Sequence, residues 1–116
     1  MPTETFSFNP ELLSILDEDP EFKAEITKLF EEDGTQLLGE LELAIEASDS
    51  NRVDEAAHAL KGIFSNTGIQ ELWQVATDLD TLAKQNRIEA EKPKAVELYL
   101  TLKSQFEKAV EFVKAL

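Results

Sequence analysis

The sequence predicts an all-α fold, an up-down-up-down antiparallel four-helix bundle with a short N-terminal capping helix. Three observations carry that prediction. Apolar residues recur at three-and-four spacing in four long stretches, proline and glycine stand where helices begin and end, and the connections are short. No segment alternates apolar and polar residues between turn signals as a hairpin would. At 116 residues the chain is expected to form a single domain, 1–116, large enough for one core and too short for two.

Each element has its own local signal. Asn9 and Pro10 read as an N-cap and first helical residue, and Phe8 and Leu13 stand at hydrophobic-staple spacing, so a short helix spans about 10–16. Asp19 and Pro20 repeat the start signal. Phe22, Ile26, Leu29, Phe30, Leu37, Leu41, Ala44 and Ile45 then keep helical spacing to about residue 47, despite Gly34 and Gly39. Ser48, Asp49 and Ser50 end that helix, and Ser50 is expected to cap the next, 51–66, which Gly68 closes. Leu72, Val75, Ala76, Leu79, Leu82 and Ala83 mark a fourth helix over 69–86. After a mostly polar connection, Pro93 opens a fifth over 93–115, carried by Val96, Tyr99, Leu102, Phe106, Ala109, Val110 and Val113.

Composition removes several function classes. The chain has no cysteine and one histidine, which excludes disulfides, thiolate chemistry and an ordinary zinc site. Eleven basic against 24 acidic residues leave a net charge of −13, which repels nucleic acid and anionic membrane alike. No signal peptide and no apolar run of membrane-spanning length is evident, so a cytoplasmic location is expected. Neither a Walker loop nor a kinase glycine-rich loop is present, and use of ATP is not expected.

The single histidine lies in AHALKGIFSNTG, residues 57–68. At about 100° per residue, Val53, Ala57, Leu60 and Phe64 form an apolar stripe with Ala56 and Ile63 on its shoulder. His58 falls outside that stripe, beside Asn51, Asp54, Glu55, Lys61, Gly62 and Ser65 on the outer face. Glycine within a helix costs about 1 kcal/mol relative to alanine, and Gly62 stands one turn from His58 where core packing does not account for it. A missing side chain there leaves the imidazole open to an approaching group. Lys61, also one turn away, is placed to put an ammonium beside an anion, its ordinary alternative being a solvated lysine paired with Asp54 or Glu55.

With His58, Leu60, Lys61, Gly62, Gly68 and Leu72 in HALKGIFSNTGIQEL, the chain resembles the histidine-containing phosphotransfer (HPt) domain family, whose spacing is H-x-L-K-G followed by a second glycine and a leucine. Ala57, Leu79 with the acidic Asp80, Phe30 and Asp49 extend the likeness. Ile63 and Phe64 depart from it, standing where the family often has small residues, typically with a hydroxyl; both point to the core side of the wheel, and Ser65 offers a hydroxyl on the histidine face instead.

The resemblance implies a phosphocarrier without its own kinase activity, in a multistep two-component phosphorelay. His58 Nε2 would take a phosphoryl group from a receiver-domain aspartate and later pass it to another. Lys61 would stabilise the phosphoryl oxygens and Gly62 would admit the partner. Counting back from Gly68 brings Asp80 near His58, where it is expected to hydrogen-bond the imidazole. The expected partners are receiver domains of response regulators and hybrid sensor kinases, with Mg²⁺ supplied by the receiver, no cofactor or metal of the chain's own, and a monomeric state. Leu13, Ile15 and Leu16 are candidate partner contacts or else pack the first helix down, and Trp73 is expected half-buried between helices. The competing reading is an unphosphorylated HPt-like adaptor that binds or sequesters a receiver.

Overall fold

The computed structural model describes residues 6–116; the first five residues of the expected domain lie outside them. Five helices and no strand occur among the described residues: α1 (Pro10–Glu18), α2 (Pro20–Glu46), α3 (Ser50–Thr67), α4 (Gln70–Lys84) and α5 (Lys92–Lys114).

Local chemistry sets the boundaries. Asn9 Oδ1 accepts from the backbone N–H groups of Glu11 and Leu12, satisfying donors that the first turn leaves unpaired. Asp19 ends α1 and caps α2 at once. A residue before proline is pushed out of the helical region, and Asp19 is extended at φ −134° and ψ 93°. Its side chain then accepts from Phe22 N at 3.1 Å. The result is that α1 runs on to Glu18 and abuts α2 through one residue.

At α3 the cap is Asp49 and not Ser50. Asp49 holds the extended cap conformation and its Oδ1 accepts from Arg52 N at 3.2 Å, whereas Ser50 is already the first helical residue. Gly68 closes α3 with φ +76°, in the left-handed region that spares glycine the Cβ clash, and Ile69 N reaches back to Phe64 O at 3.0 Å. A second constraint meets there. Asn9 N donates to Thr67 O at 2.7 Å, so the start of α1 is strapped over the end of α3, and a Cβ on Gly68 would come within 2.6 Å of Asn9 N.

The long helices close on one another: α2 packs against α3 and α5, and α4 against the same two, while α1 lies on α2. Their shared interior holds Val53, Ala57, Leu60, Phe64, Leu72, Ala76, Leu79 and Leu102, all fully buried. Each large side chain among them contributes about 1.5–3 kcal/mol of burial. Phe30, Phe64 and Phe106 form an aromatic centre with ring centroids 5.3–6.5 Å apart. Gly34 makes room for it, because a Cβ there would collide with the Phe106 ring. Phe8 lies edge-on to Phe112 of α5, 6.1 Å between centroids. The polar 85–91 connection is pinned by Ile88, which is fully buried.

Candidate functional site

The stripe Val53–Ala57–Leu60–Phe64 faces inward as its spacing requires, so the opposite face of α3 is turned to solvent. His58 is exposed on that face. It shares a shallow depression of about 320 Å³ with Asp54, Glu55 and Lys84. Gly62, one turn on, is also exposed, and no atom lies within 4 Å of where its Cβ would stand. Packing therefore gives no reason for this glycine, and the space above it is open beside the imidazole.

Charge is organised one layer beneath. Asp80 of α4 is only 1% exposed, at the seam between α3 and α4. Its Oδ2 accepts from Lys61 Nζ at 3.2 Å and from Lys84 Nζ at 3.1 Å. Lys61 is held further by the face of Trp73, its Nζ 5.7 Å from the ring centroid. The lysine is thus neither free in solvent nor paired with Asp54 or Glu55; with its side chain 21% exposed, it lies along the seam with its ammonium near the surface.

Asp80 does not take the place foreseen for it. No hydrogen bond joins it or any other described side chain to the His58 imidazole. The reason is geometric: Asp80 sits in the buried seam while His58 points outward, and the side chains that reach that carboxylate are those of Lys61 and Lys84, with Asp54 beside it. Asp80 is therefore a holder of lysines.

Asp54 completes the group, one turn before His58 on the same face. Two ionised carboxylates cannot donate to each other, and Asp80 Oδ1 is buried without a donor in that state. A proton on Asp54 supplies one. The hydrogen bond to Asp80, partial burial and the Asp80 charge together push the Asp54 carboxyl above its ordinary value, against the pull of Lys84 and His58. Burial alone would raise Asp80, but hydrogen bonds from Asp54, Lys84 and Lys61 outweigh it and hold that carboxyl below the ordinary value. Of the two, Asp54 is thus the carboxyl that takes up a proton first as pH falls, and the negative charge of Asp80 stays under the two lysines.

The remaining residues divide. Ser65 is exposed on the histidine face but lies two turns, about 10 Å, from His58 and lines a different depression toward Gly68 and Trp73. Ile15 is 51% exposed and free to meet a partner, and Leu13 is half-buried. Leu16 is not a contact residue. At 1% exposure it packs α1 down, as the inward position of a short amphipathic helix must. Next to α1, a mostly apolar depression lies between α1, α2 and α3, with Leu12, Ile26, Leu29 and Ile63 in its lining.

Lys84 was not singled out from the sequence, and Asp54 was read only as a neighbour of His58 and an alternative pair for Lys61, not as a partner of Asp80. Their signal was present as helical spacing, Lys84 four residues after Asp80 and Asp54 four residues before His58. What spacing alone lacked was the knowledge that both pairs meet across the α3–α4 seam.

The model of the Hpt domain matches residues 25–113 of this sequence. The chain belongs to the Hpt domain family. The crystal structure of histidine-containing phosphotransfer protein B (HptB) from Pseudomonas aeruginosa PAO1 is similar to this Hpt domain in fold, with a TM-score of 0.81 at 21% sequence identity, over 94% of this chain and 92% of that one. No curated protein matches its sequence. Among the described residues of this Hpt domain, no helix is long and apolar enough to cross a membrane.

Proposed function

We propose that this Hpt domain is a phosphocarrier that moves a phosphoryl group between receiver-domain aspartates in a multistep phosphorelay, through phosphohistidine at His58. One observation carries the reading. The single histidine is exposed beside an unfilled glycine position, with two lysines held at its side by a buried carboxylate.

Phosphoryl transfer asks the protein mainly for positioning and for charge opposite the phosphoryl oxygens. Neutral imidazole supplies the nucleophile. The Nε2 lone pair forms the N–P bond as the P–O bond to the receiver aspartate breaks, and the aspartate leaves as a carboxylate. The positive charge developing on the ring faces the Asp54 side of the depression. Lys84 and Lys61 meet the phosphoryl oxygens, Lys61 by turning from the seam toward the rim. Return to a second receiver reverses these steps. Mg²⁺ belongs to the receiver's own acidic site, and ATP has no part in the exchange.

The same reading places all of 1–116 in one domain, with the four long helices running up-down-up-down. Receiver docking uses the open surface at Gly62 together with Ile15 and the adjoining apolar depression at Leu29. The domain acts as a cytoplasmic monomer toward receivers of response regulators and hybrid kinases.

The test is to mix the protein with a phosphorylated receiver and follow acid-labile, alkali-stable label. Wild type should become labelled and His58→Gln should not. Equal labelling of the variant refutes the assignment, and tight binding without label favours an adaptor.

A further inference from the structure

Two glycines in the helices are not explained by packing. Gly34 admits the Phe106 ring and Gly68 has a positive φ, but no atom lies within 4 Å of a Cβ built on Gly62 or on Gly39. An interior helix glycine costs stability, so an exposed one with empty space above it calls for another reason. Gly62 has His58 beside it. Gly39 lies elsewhere, in a groove of about 410 Å³ between α2 and α5.

That groove has a shape and a charge. Along α2 its wall runs Glu31, Thr35, Leu38, Gly39 and Glu42, one straight helical stripe of about three turns and 16 Å. Its floor is apolar, formed by Leu38, Tyr99, Phe106 and Val110. The rim is acidic: Glu31 and Glu42 from α2 face Glu107 and Glu111 from α5, against the single lining lysine Lys103. Lys114 reaches only Glu31, at the far end, 3.3 Å away.

We propose that the α2–α5 groove is a second docking site, for a basic amphipathic helix of a partner protein, with Gly39 as the place where the partner's backbone comes close. A helix lying between α2 and α5 matches the groove's length, puts its apolar anchors on the floor and sets lysines or arginines against the glutamates on both rims. A second copy of this chain does not suit it, since two chains at −13 repel each other and neither brings the required positive face. The site is separate from His58 and does not depend on the phosphotransfer reading.

The test uses a fluorescein-labelled synthetic helix of leucine and lysine with one apolar stripe, followed by fluorescence anisotropy. Saturable binding to wild type is expected. Gly39→Trp should weaken it at least tenfold, and Gly62→Trp should leave it within twofold. Glu107→Lys with Glu111→Lys should weaken it tenfold or more, while Glu11→Lys with Asp17→Lys on α1 changes it less than threefold. Circular dichroism checks that each variant folds, and Gly39→Trp should still exchange label with a receiver wherever wild type does. Absence of saturable binding overturns the proposal, as does Gly39→Trp binding like wild type. Equal losses from the two charge reversals would mean general attraction to an acidic surface and overturn it too. Should wild type fail to take label from any receiver, the peptide result stands unaffected, so the two readings fail separately.

Discussion

Lys61 Nζ lies 3.2 Å from Oδ2 of Asp80, nineteen residues on in the chain and one helix away. The contact ties the lysine of the histidine face to a carboxylate with almost no access to water. A lysine on a solvated helix face samples many rotamers, and holding it by one buried anion reduces what the proposed transfer would have to order. Lys84 shares the same oxygen, so a single carboxylate sets two cations.

Asp80→Asn should therefore slow phosphoryl transfer without removing His58 and should cost about 1–3 kcal/mol of stability, the range for losing a hydrogen bond to a buried charged group. Paired with Lys61→Ala in a double-mutant cycle, its effect on transfer rate should be clearly less than additive. Strict additivity would show that the two residues act independently.

The two carboxyls predict opposite pH trends. Asp80 is held below its ordinary value, so its stabilisation is present above pH 3.8 and is lost as pH falls below that value. Asp54 is raised, so the native state keeps a proton that the unfolded chain has released, and its contribution grows as pH falls toward 3.8 from above. Asp54→Asn, which donates permanently to Asp80, should raise stability near pH 7 by less than about 1 kcal/mol, and the gain should vanish by pH 3.8. Urea unfolding across pH 3–7 measures it. A gain that persists at low pH contradicts the shared-proton arrangement.

The glycines predict contrasting alanine effects. Gly62→Ala meets open space and should stabilise the fold by about 1 kcal/mol. Gly34→Ala drives a methyl into the Phe106 ring and should cost about 1–3 kcal/mol. Thermal unfolding of the two variants side by side decides it; a destabilised Gly62→Ala would return that glycine to a packing role.

Adjacent residues of α1 should separate docking from packing. Leu16→Ala should lose about 2–5 kcal/mol because it empties a buried site. Ile15→Glu should leave the unfolding midpoint nearly unchanged but weaken receiver binding in a titration. Equal binding by Ile15→Glu and wild type would take α1 out of the docking surface.

Tyr99 is the only tyrosine, so phenolate absorbance reports it alone. Burial, then the hydrogen bond to Glu42 and the charges of Glu42, Glu46 and Glu107, push its hydroxyl up to about 12. The neutral phenol is thus favoured in the fold, and stability should decline as pH rises from about 10 toward 12. A titration midpoint near 10 in the folded protein would place Tyr99 in water and contradict its position on the groove floor.

The sequence by itself determined the helices, the inward stripe of α3 and the outward placement of His58. These follow from local chemistry: the 3.6-residue period, Asn9–Pro10 and Asp19–Pro20 as starts, and Gly68 as a stop. It misread Ser50 as the cap of α3 because serine and aspartate compete as adjacent acceptors, and only backbone geometry selects Asp49. The tertiary structure alone decided what the seam between α3 and α4 does. Which groups meet across it depends on helix rotation and register, and a small rotation exchanges a buried carboxylate for an exposed one. That is why Asp80 was foreseen near the site but assigned to the imidazole, while Asp54 was read only as a neighbour of His58 and an alternative pair for Lys61, and Lys84 went unnoticed. Leu16 shows the same limit on α1, where three apolar neighbours look alike in sequence and packing buries one and exposes another.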